Sequence, residues 1–392
     1  MSTTLKRHIG NALFVFYILI ITVDPTNTIT HLKNLAFVLL LGYNIAVYKP
    51  DTRMLPLFLL IFCPVLLGFI SASMQMNPML PDETVAYFKA IAPFVLLFWV
   101  RYYDVVRLTF WPAVLAIIIY IVLYSYIAQG DEAVAAVHVF ASQHNRAFML
   151  GHRSFLGFTV LGLYCNSVYC LFMLLYATYY RWFQHKSLWC LLPVVLFSFP
   201  FLVGGTRMTM LTPFALMGVV AHVLLRKSGQ AKYFAYPLLL LFLLSFVVIV
   251  VLLATEQGQA SNEIKYGHIG SYLELFTIHP EYLVIGQGPG TEFYSHGFGR
   301  MAVLTEWSYL EVVRNYGLGS LLIFSVFFLP LYLMYRHRES DYVRGAMWAY
   351  LIYLLVAGTN PLLMNSTGAF VLLCAYSVVC RAEEEEKSAI TR

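Results

Sequence analysis

Met54–Ser73, MLPLFLLIFCPVLLGFISAS, is a run of twenty residues without a charge. A helix of that length rises ~30 Å, the thickness of a bilayer's hydrocarbon core. The run is continuous rather than alternating. It therefore suits a helix that satisfies its own backbone, not a membrane β-strand. Eleven more apolar runs surround it, near 10–23, 34–48, 84–100, 105–128, 155–178, 188–203, 208–225, 233–254, 317–335, 342–357 and 363–380. Composition agrees: 60% of residues are hydrophobic and 11% charged, too little charge to solvate an ordinary soluble surface. The predicted fold is an all-α polytopic membrane protein of about twelve transmembrane helices, one integral-membrane domain over 1–392.

Charge separates the connections into two sets. One contains Lys6/Arg7, Lys49/Arg53, Arg101/Arg107, Arg181/Lys186, Arg226/Lys227/Lys232, Arg336/Arg338/Arg344 and Arg381/Lys387/Arg392, or 17 of the 25 basic residues. By the positive-inside rule this set is cytoplasmic, with both chain termini. Lys6 and Arg7 precede the first run and no small-residue cleavage site follows, so that run reads as an uncleaved anchor. For a bacterial host the membrane is the inner one and the other set of loops is periplasmic. That set includes a first excursion at 129–153, expected to be partly helical, and a large loop at 255–316. The tail 381–392 reads as solvated and disordered. The net charge of +5 follows from this topology and calls for no nucleic acid. The six cysteines lie inside apolar runs without CxxC spacing, as small buried hydrophobes.

Eight basic residues escape the cytoplasmic set: Lys33, Lys89, Arg146, Arg153, Arg207, Lys265, Arg300 and Arg314. A charge near the bilayer costs a few kcal/mol unless paired or facing water. Lys33 can snorkel at a span end, and Lys89 can pair within its span. Arg207 follows two glycines at a short turn between apolar runs, where a guanidinium could grip an anionic oxygen pair. Binding to lipid phosphate or to its own helix end is the alternative. His152-Arg153 repeats that setting at another run, with Arg146 shortly before it. Arginines converging from separate helices would hold a diphosphate; scattered interfacial anchors are the other reading.

The 255–316 loop carries three features. KYGHIGSYLELFTIHP predicts a short amphipathic helix with Lys265 and His268 at its start. Gly286–Gly290, GQGPG, is a tight turn, lacking the strand and lysine of a nucleotide-binding loop. LTEWSYLEVVRNYG spaces Leu304, Trp307, Leu310 and Val313 as one helix face, leaving Glu306, Glu311 and Arg314 on the rest of its surface. Glu306, partly buried beside aromatics, could act as a general base, or simply pair with Arg314 or Lys265. His268, His279 and His296 match no metal-ligand spacing, so no metal is expected.

The order of these motifs resembles the O-antigen polymerase (Wzy-type)/ligase superfamily of integral-membrane glycosyltransferases, over roughly 199–368. The carriers are Arg207 at its turn, His279-Pro280, the glycine turn, TEWSYLEVVRNYGLG, and GTNPLLMNSTG from Gly358 to Gly368. The resemblance implies a GT-C-like, metal-independent transferase with no cofactor. It would move a growing glycan from undecaprenyl diphosphate to a lipid-linked repeat unit at the periplasmic face. Arg207, Arg153, Lys265, Arg314 and Arg146 would bind diphosphate; Glu306 and His268 would be catalytic. Its partners would be undecaprenyl-diphosphate-linked glycans and inner-membrane lipids, with a chain-length regulator as an optional protein partner. Ligases typically lead this motif with a histidine-asparagine pair where Glu306 stands here, which favours the polymerase branch. The rivals are an O-antigen ligase acting on lipid A–core and a lipid-linked sugar transporter or flippase.

Overall fold

A computed structural model describes residues 3–144, 148–155, 158–185, 187–204, 206–225 and 256–390, with scattered positions between 233 and 247. Arg146, most of the run 233–254, and the side chains of Arg153 and Arg207 lie outside the described residues. The described chain is mostly helical.

Among those residues five helices are long and apolar enough to cross a membrane. These are α1 (Thr3–Val23), α3 (Thr52–Met74), α4 (Pro81–Tyr102), α5 (Val105–Ile127) and α13 (Gly319–Arg336). Shorter helices fill the bundle: α2 (Lys33–Val47), α6 (Asp131–Gln143), α7 (Phe172–His185), α8 (Leu188–Leu202) and α9 (Arg207–Leu225). The later chain adds α10 (Glu256–Ile278), α11 (Tyr282–Ile285), α12 (Ser308–Tyr316), α14 (Asp341–Gly358) and α15 (Ser366–Ile390). Local chemistry sets several starts. Pro81 needs no amide partner in the first turn of α4, where Asp82 and Glu83 also suit the helix dipole. The Ser187 hydroxyl accepts from the Trp189 amide to cap α8. From Ala92 to Tyr102, past Pro93, α4 tightens to a 3-10 helix.

The centre of the bundle is α15, buried at every residue from Ala369 to Cys380. A helix that is apolar all round belongs in such a place. Buried tyrosines around it need oxygen partners, since a bare hydroxyl away from water is costly. Tyr353 donates to the Leu362 carbonyl at 2.8 Å, and Tyr350 to that of Phe327 at 2.9 Å. All six cysteines are free and four are buried, Cys63 facing outward.

The sixth apolar run is not one continuous α-helix. Met149–Phe155 (β1) and Phe158–Tyr164 (β2) pair as an antiparallel hairpin, Phe155 opposite Phe158 and Arg153 opposite Val160; only Phe172–His185 beyond them is α-helical. Hydropathy alone cannot separate these outcomes. Gly151, Gly157 and Gly162 interrupt the helix, while Thr159 and Val160 favour extended backbone. An isolated two-stranded hairpin is marginal in water. This one is tied down by the Tyr124 hydroxyl on Leu161 O at 3.2 Å and the Leu163 amide on Val203 O at 2.8 Å.

Two further expectations change. As far as Ile390 the tail is helical rather than disordered: α15 runs on through alanine, glutamate and lysine, which are good helix formers. Glu383 pairs with Arg53 at 3.7 Å and Glu386 with His337 at 3.2 Å. Lys33 does not snorkel; it is buried, its ammonium donating to Pro25 O at 2.6 Å.

The loops sort into two ends. At one end, Thr28 bonds His144 O at 2.9 Å, and Asn77 bonds Gln287 O at 3.0 Å. The Leu362 amide, in the α14–α15 turn, bonds Ser308 at 3.1 Å at the head of α12. At the other end the Tyr102 hydroxyl meets Lys49 O, and Arg381 pairs with Asp104.

Candidate functional site

Residues 256–316 fold against the α3–α4 connection and the α14–α15 turn. α10 begins at Glu256, so Lys265 and His268 sit mid-helix rather than at its start. Behind α10 pack β3 (Phe293–Ser295) and β4 (Arg300–Ala302), a short antiparallel hairpin. The glycine turn re-aims the chain between α11 and β3, with Gly286 at φ 77°, Gly288 at 99° and Gly290 at 78°. The end of α3 and the loop joining it to α4 hold it. Ser71 donates to Gly286 O at 2.9 Å, and the Leu80 amide to Gly290 O at 3.1 Å.

Glu311 and Arg314 are not on a surface. Their side chains are 8% and 0% exposed and form an ion pair one helical turn apart on α12. Glu311 also accepts from the Tyr272 hydroxyl at 2.7 Å and from Asn315 Nδ2 at 3.2 Å. The Arg314 guanidinium donates to Gln287 Oε1 at 2.6 Å, Thr291 O at 3.1 Å and Val303 O at 2.7 Å. It also lies 4.6 Å from the centre of the Phe293 ring. Burial, and then Glu311, pushes the Tyr272 hydroxyl well above its ordinary pKa, so it stays a donor. Every nitrogen of Arg314 is engaged inside the protein, so this residue holds the loop together rather than a diphosphate. The i, i+3 spacing was visible in the sequence; Tyr272, Gln287 and Thr291, brought in by tertiary packing, were not.

Lys265 and Glu306 do meet. Their charged atoms are 3.8 Å apart, and the side chains are 26% and 43% exposed. The Trp307 indole donates to Lys265 O at 3.1 Å and so fixes the approach of the two segments. His268 lies fully buried beside them, Nδ1 at 2.9 Å from Ser295 Oγ and its ring edge-on to Phe298 at 4.4 Å. Its Nε2 has no partner among the described residues. Burial lowers the His268 pKa, against a smaller upward pull from Glu306, which keeps the imidazole neutral. The other loop histidines pair with carboxylates: His296 with Glu274 at 2.5 Å, His279 with Glu281 at 3.0 Å.

The Glu306 charge also reaches Tyr164, whose hydroxyl is raised first by burial and then by Cys165 and Glu306. Tyr164 ends β2, the strand bonded through Leu163 to Val203; Val203 closes α8, and Arg207 opens α9 four residues on. Among the described residues no group of three or more His, Cys, Asp or Glu side chains could hold a metal.

On the other side of the 303–308 stretch lies a cavity of about 210 Å³, between α4, α12 and the α14–α15 turn. Sequence reasoning missed it, because its walls come from four separate parts of the chain. Comparison with protein-family models and with curated proteins finds no match to this chain.

Proposed function

We propose that this protein is a polysaccharide polymerase of the bacterial inner membrane. It would span the bilayer about twelve times, with the 256–316 segment at the periplasmic face. It transfers a growing glycan from undecaprenyl diphosphate to a lipid-linked repeat unit. The observation that carries the reading is the Lys265–Glu306 pair. It brings two remote parts of the polar segment together.

In this reading the acceptor hydroxyl oxygen attacks the anomeric carbon of the donor. The carbon–oxygen bond to diphosphate breaks, the leaving lipid diphosphate keeps the electron pair, and the hydroxyl proton passes to Glu306. Lys265 and Arg207 stabilise the charge on the departing diphosphate, at the N-terminus of α9. Arg314 has no part in it.

The test is Arg207→Ala in a strain lacking the native chain. Folded membrane protein with glycan arrested at one repeat unit on the carrier supports the reading. Long glycan on the carrier that never reaches lipid A–core would identify a ligase instead. Normal surface glycan would sink the role of Arg207.

A further inference from the structure

Leu283, Val284 and Ile285 of α11 are 44%, 55% and 47% exposed, three apolar side chains in a row outside the protein's own packing. None belongs to the site described above. Such a run in a folded chain marks a contact surface. Its level along the bundle says what it meets. The outward face of α3 carries Leu66, Leu67, Ile70 and Met74, and so stays apolar to the last residue of that helix. Since α3 is long enough to cross the bilayer, this face marks how far hydrocarbon extends. Ser71 and Gln75 both donate to Gly286 O, at 2.9 and 3.1 Å. The Gly288 backbone lies against Gly68 and Ala72 with no room for a Cβ. At 1.5 Å per residue, Ser71 and Gly68 stand ~5 and ~9 Å short of Met74, within the apolar face rather than beyond it.

The start of α13 lies lower still. Gly319, its first residue, is opposite Pro64 of α3, and the Leu318 amide before it donates to Val284 O at 3.0 Å. Leu318, Leu321 and Leu322 are exposed there. So α11 stands beside the apolar outer faces of two spanning helices, and its own side chains continue them.

The backbone meets the demand that hydrocarbon makes. Irregular chain is tolerated at membrane depth only where protein satisfies its polar groups. The Val284 carbonyl takes the Leu318 amide, and that of Gly286 takes Ser71 and Gln75. The Gln287 carbonyl takes Asn77 at 3.0 Å, and that of Gly288 the Thr291 hydroxyl at 2.7 Å. The Gln287 amide donates to Arg314 O at 2.6 Å. Charge stops just short of this stretch, at the exposed His279–Glu281 pair.

We propose that Leu283, Val284 and Ile285 form a membrane foot. They seat the polar segment in the hydrocarbon boundary of the bilayer, against lipid acyl chains, as interfacial segments do. The chain passes from the foot straight into Gln287, which holds Arg314, so lipid contact sets the depth of the whole 256–316 segment. The inference needs only that α3 and α13 cross the bilayer. It stands or falls apart from the polymerase reading.

Nitroxide accessibility tests it, on the full chain in phosphatidylethanolamine–phosphatidylglycerol vesicles. The background is Cys63→Ala with Cys190→Ala, because the other four cysteines are buried. The label goes on Val284→Cys, with Leu321→Cys as the hydrocarbon reference and Glu385→Cys, exposed on the tail, as the aqueous one. Oxygen concentrates in hydrocarbon and a nickel chelate stays in water. The oxygen-to-nickel collision ratio for Val284→Cys should lie near that of Leu321→Cys and several-fold above that of Glu385→Cys. Leu283→Cys is the second position, should a label on Val284→Cys disturb the Leu318 contact. Ratios nearer the aqueous reference at both positions overturn the foot. Shielding of both positions from both reagents means that protein covers the patch, a second copy or a partner, and overturns it as well.

Discussion

Lys265 Nζ lies 3.8 Å from a Glu306 carboxylate oxygen, joining the middle of α10 to the approach of α12. Both side chains keep a quarter or more of their surface in solvent, so screening leaves the pair less than ~1 kcal/mol of stability. Its value must lie elsewhere if it has one. Glu306→Gln should keep the melting temperature in detergent near that of wild type, while chain extension falls ~10²–10⁴-fold, as for a lost general base. Full extension by that variant would leave Glu306 as a surface partner of Lys265 and nothing more.

Arg314 is the opposite case. Arg314→Ala strands Glu311 in a buried site, and removing one partner of a buried pair costs ~3–5 kcal/mol. The expected result is a large drop in thermal stability, read by size-exclusion after heating. Replacing both partners, Glu311→Leu with Arg314→Met, should recover most of the loss, because no buried charge is left unpaired. If Arg314→Ala instead stayed fully stable and lost only activity, the residue would belong with the diphosphate ligands.

Hydropathy made the apolar helices legible, because a run such as Met54–Ser73 has one stable form in a bilayer. The glycine turn was equally readable, since three glycines within five residues mark backbone that other residues avoid. The hairpin was not. Phe155–Tyr164 is as apolar as a span, and what decides its form is the pairing of Leu163 with Val203 on another helix. The same limit hid the site's partners: nothing near Glu311 in sequence points to Tyr272, and nothing near Gly290 points to the α4 wall opposite.

His268 predicts a pH dependence whose sign can be worked out. Burial lowers its pKa in the folded state below the ordinary 6.5. Below that value the unfolded chain binds the proton more readily than the folded one, so stability falls as pH drops through ~6.5 towards the lowered folded value. The groups facing the ring are Lys265, Glu306, Ser295 and Phe298. His268→Asn cannot titrate there and should flatten the acid-side loss in a pH series of melting temperatures. An unchanged slope would assign that loss to other groups.

The glycine turn offers a matched comparison between two left-handed glycines. Gly288 has φ 99°, and a Cβ on it would run into Ala72 and come within 2.7 Å of Gly68 O. Gly299 has φ 63° with nothing within 4 Å of the same position. Gly299→Ala should therefore cost only the backbone penalty, ~1–2 kcal/mol. Gly288→Ala adds overlap against α3, a further ~1–3 kcal/mol. The consequence is not confined to stability. Gln287 and Thr291 bracket this turn and hold Arg314 at 2.6 and 3.1 Å. Melting curves of the two variants, run beside chain-extension assays, should show Gly288→Ala losing both and Gly299→Ala keeping extension intact. Equal effects in the two would mean that the close fit of the turn against α3 contributes nothing beyond backbone strain.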